Sequence, residues 1–98
     1  MKVTFKRGTN EITLKIVGRI DTITAPDLEE IINDDIEDTQ SLTLDIEEVE
    51  YISSAGLRVL LAAQKKMNKY GSMKVINVRA EVMEVFELTG FTDILEIE

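Results

Sequence analysis

The 98 residues, 44% apolar and 31% charged, fit one folded domain over residues 1–98 rather than a disordered chain. With no cysteine and no histidine, the sequence excludes disulfides, thiolate or histidine metal sites, thiol catalysis and a Ser-His-Asp triad. Nineteen acidic against eleven basic residues give a net charge of −8, which disfavours nucleic acid and anionic membranes and suits either an electropositive protein partner or solubility alone.

No stretch approaches the ~18 consecutive apolar residues of a membrane span, and the N-terminus lacks an apolar signal core. A soluble cytoplasmic protein is expected. Met1 to Arg7 alternates, with Val3 and Phe5 on one side and Lys2, Thr4 and Lys6 on the other, which predicts a half-buried strand. Gly8-Thr9-Asn10 signals a turn, and Ile12, Leu14 and Ile16 alternate in a second strand folded back as a hairpin. Gly18 breaks that alternation, so Gly18 to Thr24 is read as a loop. A helix follows, with Thr24 as N-cap, Pro26 in its first turn and Leu28, Ile31 and Ile32 facing the core until Asn33-Asp34-Asp35.

Ser41 to Ile46 predicts a strand, and Glu47-Glu48-Val49-Glu50 an acidic loop. The longest helix is expected over Ser54 to Tyr70, with Leu57, Leu60, Leu61 and Met67 inward, Ala62 and Ala63 allowing close packing, and Gly71 as its stop. Met73 to Val78 reads as a strand buried on both faces. Glu81 to Leu88 reads as a short helix with Val82, Val85, Phe86 and Leu88 inward, ended by Gly90. Ile94, Leu95 and Ile97 suggest a last strand. The order β-β-α-β-α-β-α-β predicts an α/β domain: a mostly parallel sheet, an N-terminal hairpin, and helices packed against it.

Functional sites of such sheets favour loops after the carboxyl ends of strands. That singles out Ser53 and Ser54 at the start of the longest helix. A helix N-terminus offers free N–H donors and partial positive charge, so a serine there can cap the helix or receive an anionic group. Local chemistry leaves both readings open. Arg58, one turn further on, can meet a partner or simply be solvated. Glu47, Glu48 and Glu50 are carboxylates of the kind that suit Mg²⁺ or Ca²⁺, but neighbours on a short loop rarely converge, so no metal is expected. An enzymatic serine lacks support, with no histidine and no Gly-x-Ser-x-Gly elbow, so no catalytic residue or cofactor is expected.

Three phrases resemble the STAS domain of bacterial anti-sigma factor antagonists: Ile52-Ser53-Ser54-Ala55-Gly56-Leu57, Gly18-Arg19-Ile20-Asp21, and Val85-Phe86-Glu87-Leu88-Thr89-Gly90-Phe91. The resemblance spans the chain. Set on the family pattern Asp-Ser-Ser/Thr-Gly-Leu, Ser54 falls on the phosphorylated serine, Ser53 on the aspartate and Ala55 on the second hydroxyl residue. The resemblance implies phosphorylation at Ser54, with Ser53 as alternative acceptor, by an anti-sigma factor that is an ATP-dependent serine kinase. A serine phosphatase would reset the protein. It further implies a partner-binding surface of Asp21, Thr22, Ser53, Ser54, Ala55, Gly56 and Arg58, acting on sigma-factor-dependent transcription without direct nucleic-acid contact. The departures at Ser53 and Ala55 leave room for a STAS module of another assembly, in stress signalling or lipid transport.

Overall fold

The computed structural model of the chain describes residues 1–35 and 39–98. β1 (Lys2–Gly8) and β2 (Glu11–Ile20) pair antiparallel, Val3 opposite Ile16 and Phe5 opposite Leu14. Asn10, at φ 58, closes the hairpin in the left-handed region that asparagine tolerates. α1 (Ala25–Asp35) returns the chain so that β3 (Ser41–Ile52) lies parallel to β2. α2 (Ser54–Tyr70) does the same for β4 (Ser72–Ile76) beside β3, and α3 (Ala80–Thr89) follows. The sheet order is β1-β2-β3-β4.

Two strands run further than their patterns suggest. β2 continues through Gly18 to Ile20, and β3 continues through the acidic run to Ile52. The pairing slips between Lys15 and Val17 and again between Gly18 and Arg19, and Gly18 sits at φ 111, where a side chain would be strained. These irregularities shift the inward position from Ile46 to Val49 and Ile52 on β3, so simple alternation is lost while pairing is kept. The segments expected as a loop at Gly18 to Ile20 and at Glu47 to Glu50 are therefore sheet.

The helices cover one face of the sheet. Ile12, Leu14 and Ile16 on β2, Leu42, Leu44 and Ile46 on β3, and Met73 and Val75 on β4 are buried. They share one core with Leu28 and Ile32 of α1, Leu57, Leu60, Ala63 and Met67 of α2, and Val82 and Phe86 of α3. Burial of this apolar area is the main source of stability. On the other face Thr13, Lys15, Thr43, Asp45, Lys74 and Ile76 are only half-buried. β4 is thus buried on one face, not both, and ends at Ile76 because Asn77 turns out of the strand at φ 59.

Within the helices, Val59 and Gln64 are buried, whereas Leu61 is half-buried and Ala62 exposed. Leu88 lies outside the core at 81% exposure, because Val82 and Phe86 define the inward stripe of α3 and Leu88 falls off it. Gly90 closes that helix in the left-handed conformation. The expected last strand is reduced to one parallel bridge between Val75 and Ile97. A 3-10 turn at Phe91–Asp93 precedes it, and the N–H groups of Ile94 and Leu95 both return to the Phe91 carbonyl, at 3.0 and 2.8 Å, so neither is left for a strand ladder.

Candidate functional site

β2 and β3 end on one rung, Ile20 opposite Ile52. Ser53 follows, and its N–H donates to the Ile20 carbonyl at 2.8 Å. That bond brings the turn after β2 alongside the start of α2. Ser53 is extended (φ −91, ψ 175) and caps the helix: its Oγ accepts the Gly56 N–H at 3.3 Å and its carbonyl accepts the Leu57 N–H at 2.9 Å. Ser54, the first residue of α2, is exposed, and no hydrogen bond engages its hydroxyl among the described residues. The two adjacent serines thus have different situations, one bound into the cap and one free.

Gly56 is buried, and its part is packing. A Cβ there would stand 2.7 Å from Cγ2 of Ile20, 2.7 Å from Cγ1 of Ile52 and 3.1 Å from the Ile20 carbonyl oxygen. Only glycine lets the first turn of α2 sit this close to the ends of both strands.

The turn after β2 is held by Asp21. Its Oδ1 accepts the N–H groups of Ile23 and Thr24 at 3.0 Å each, and its Oδ2 lies 3.6 Å from Nε of Arg19. The Thr24 hydroxyl accepts the Asp21 N–H at 2.9 Å and donates to the Arg19 carbonyl at 2.8 Å. Thr24 therefore spends its side chain on the turn, although its carbonyl does accept the Leu28 N–H that opens α1. The Thr24 N–H, foremost, holds the Asp21 carboxyl below its ordinary value of 3.8; the Ile23 N–H, the Thr24 hydroxyl and Arg19 add to this, while burial opposes it. Asp21 fixes the shape of the turn (an Asx-type turn).

Between the two helix starts lies a groove of about 220 Å³. Thr22, Ala25, Pro26 and Glu29 line one side, and Ala55, Arg58 and Val59 the other. Arg58 is exposed, with no ion-pair or hydrogen-bond partner among the described residues. It stands one turn beyond Ser54 on the same helix flank. Ile23, at the tip of the turn, is 83% exposed. Of the residues singled out in the sequence, Thr22, Ala55 and Arg58 meet in this groove and Ser54 adjoins Ala55. Asp21, Ser53 and Gly56 support it from behind.

Sequence reasoning missed Ile23, an apolar residue outside every periodic pattern, and it missed the pairing of Arg19 with Tyr51. Arg19 and Tyr51 are opposite one another across β2 and β3, with the guanidinium 4.3 Å from the ring centre. The glutamates of the expected acidic loop stand on β3. Glu48 lies 3.4 Å from Lys15, and Glu50 lies 3.7 Å from Arg79. Among the described residues no helix is long and apolar enough to cross a membrane.

Comparison with known proteins bears on the family and the fold. The family model of the STAS domain matches residues 2–98. The chain is 33% identical over 98 residues to the anti-sigma-B factor antagonist of Bacillus subtilis, covering 99% of this chain and 90% of that one. The crystal structure of an anti-sigma factor antagonist from Mycobacterium paratuberculosis superposes with a TM-score of 0.89 at 26% identity, over 98% of this chain and 83% of that one. The Bacillus cell fate determinant SpoIIAA in its phosphorylated form superposes with a TM-score of 0.77, over 99% of this chain and 91% of that one; at 13% identity this likeness speaks for the fold alone. The chain belongs to the STAS domain family.

Proposed function

We propose that this protein is an anti-sigma factor antagonist. It binds its anti-sigma factor through the start of α2 and the turn after β2, and phosphorylation of Ser54 releases that partner. The observation that carries the reading is the contrast between the two serines: Ser53 is engaged in the cap, while the Ser54 hydroxyl is exposed and unengaged beside a groove. The named function of the Bacillus subtilis relative supports the same reading.

The physics of the switch is local. A phosphate adds about −1.5 to −2 charges at pH 7. At the first residue of a helix it meets the positive end of the dipole, a gain of about 0.3–1 kcal/mol per charge, so the fold tolerates it. An interface packed over Ser54 does not, because the dianion would have to be desolvated. The anti-sigma factor acts as the ATP-dependent serine kinase and a serine phosphatase restores the hydroxyl; Asp21, Thr22, Ser53, Ala55, Gly56 and Arg58 shape the contact surface. In this reading the catalytic groups of the cycle belong to those two partners.

The test is incubation with the anti-sigma factor and ATP, followed by mass spectrometry of the intact protein and its peptides. One added phosphate on Ser54, absent in Ser54→Ala, is the expected result. Phosphate on Ser53 alone, or none under conditions where the two proteins bind, would overturn the assignment.

A further inference from the structure

Charge is unevenly distributed. Residues 1–20 hold five cations (Lys2, Lys6, Arg7, Lys15 and Arg19) against one acid, Glu11, a net charge of +4. The rest of the chain then carries −12 of the total of −8. This basic segment is the hairpin, and β1 is the edge of the sheet among the described residues. Its outer backbone groups pair with no strand there, and nearly all of β1 is exposed.

The side chains of this edge are sorted by face. Val3 packs against the core, so the odd residues of β1 face the helices and the even residues face the open side of the sheet. Lys2, Thr4 and Lys6 thus stand together, with Lys15 opposite Thr4. Lys15 already pairs with Glu48. Lys2 and Lys6 have no ion-pair or hydrogen-bond partner among the described residues.

The opposite edge shows what such an arrangement accepts. Beside β4 the acidic segment Glu96 to Glu98 lies extended: the Val75 N–H donates to the Glu96 carbonyl at 2.8 Å, and the Glu98 N–H donates to the Val75 carbonyl at 2.9 Å. The Glu98 carboxylate then lies 3.8 Å from Lys74, on the open face. Backbone pairing and a lysine–carboxylate contact are used together.

We propose that the outer edge of β1 docks an extended acidic segment of a partner protein. The segment adds as a further strand and sets carboxylates of alternate residues against Lys2 and Lys6. The two ammonium groups are four residues apart on one face, about 13 Å along the strand, which matches carboxylates at positions i and i+4 of an added strand. A nucleic acid is disfavoured, since two free lysines do not offset the strong negative charge of the remaining surface. The site lies two strands from the β3–α2 junction that carries Ser54, so its use does not depend on the phosphorylation reading.

The probe is a fluorescent seven-residue peptide alternating valine and glutamate, titrated against the whole protein, with an alternating valine–lysine peptide and a short DNA duplex as controls. Saturable binding of the glutamate peptide alone is expected. It should weaken about fivefold or more between about 50 mM and 500 mM salt. Amide NMR shifts should concentrate in residues 1–8, and Lys2→Glu/Lys6→Glu should lower affinity about tenfold or more while Ser54→Asp leaves it unchanged. Lysines on an exposed edge also prevent self-pairing. If the double variant self-associates while the wild type fails to bind the peptide, the lysines serve only that protection and the proposal falls. It falls equally if the DNA binds in preference, or if Ser54→Asp abolishes binding and the shifts lie on α2.

Discussion

The Cα of Gly56 is so close to Ile20 that a methyl group built on it would stand 2.7 Å from Cγ2 of that side chain. Cγ1 of Ile52, also at 2.7 Å, and the Ile20 carbonyl oxygen at 3.1 Å crowd the same position. Gly56→Ala gains up to about 1 kcal/mol in helix propensity. Overpacking against a branched side chain and a strand carbonyl costs about 1–3 kcal/mol. We expect a net loss, read as a lower midpoint in urea with an unchanged slope. A more stable variant would show that the strand ends yield easily.

The two serines should separate by experiment. Ser53→Ala removes the cap of α2 and should cost about 0.5–2 kcal/mol, the long 3.3 Å bond favouring the lower half. For a domain of this size, 1 kcal/mol lowers Tm by roughly 4–8 °C. Ser54→Asp should leave Tm nearly unchanged while weakening binding of the anti-sigma factor. Calorimetry and a binding titration on the same samples check both halves.

Asp21 gives a signed pH dependence. Its folded pKa lies below the ordinary 3.8, so its contribution to stability is present above that value and lost as pH falls through the lower folded value. Asp21→Asn keeps an acceptor oxygen for the Ile23 and Thr24 N–H groups but cannot titrate. Denaturation midpoints measured from pH 6 downward should show wild type losing more stability than Asp21→Asn in the acid limb. Parallel curves would remove Asp21 from the balance.

α3 offers a contrast within a single helix. Phe86 is fully buried and Leu88 is 81% exposed. Phe86→Ala should cost about 3–5 kcal/mol, enough to threaten folding of a domain whose total is on the order of 5–15 kcal/mol. Leu88→Ser should fall within about 0.5 kcal/mol of wild type. Denaturation curves of the two variants decide this; a large loss in the second would mean that Leu88 is covered in solution.

The sequence made much of this legible where a single period held. The bounds of α2, the hairpin and the inward residues of β2 follow from periods of 3.6 and 2. Legibility failed where the sheet is irregular. The slips near Val17 and Gly18 put Val49 and Ile52 inward, so the second half of β3 resembles an acidic loop when read alone. Leu88 fails for another reason: its apolar character says nothing about which side of a short helix it takes. At the site, serines before an apolar helix were readable, but their division of labour was not. It depends on which hydroxyl reaches the Gly56 N–H, and that is set by the bond from Ser53 to the Ile20 carbonyl.

That bond bears on the proposed switch. The same carbonyl that receives the Ser53 N–H also bounds the space at Gly56, so the start of α2 has no slack against the end of β2. On the proposed reading, a phosphate added at Ser54 would meet a helix start already seated against the end of β2 by these contacts. The response time of such a switch would then be expected to follow the turnover of the enzymes that add and remove the group, with the domain acting as a rigid carrier of the mark.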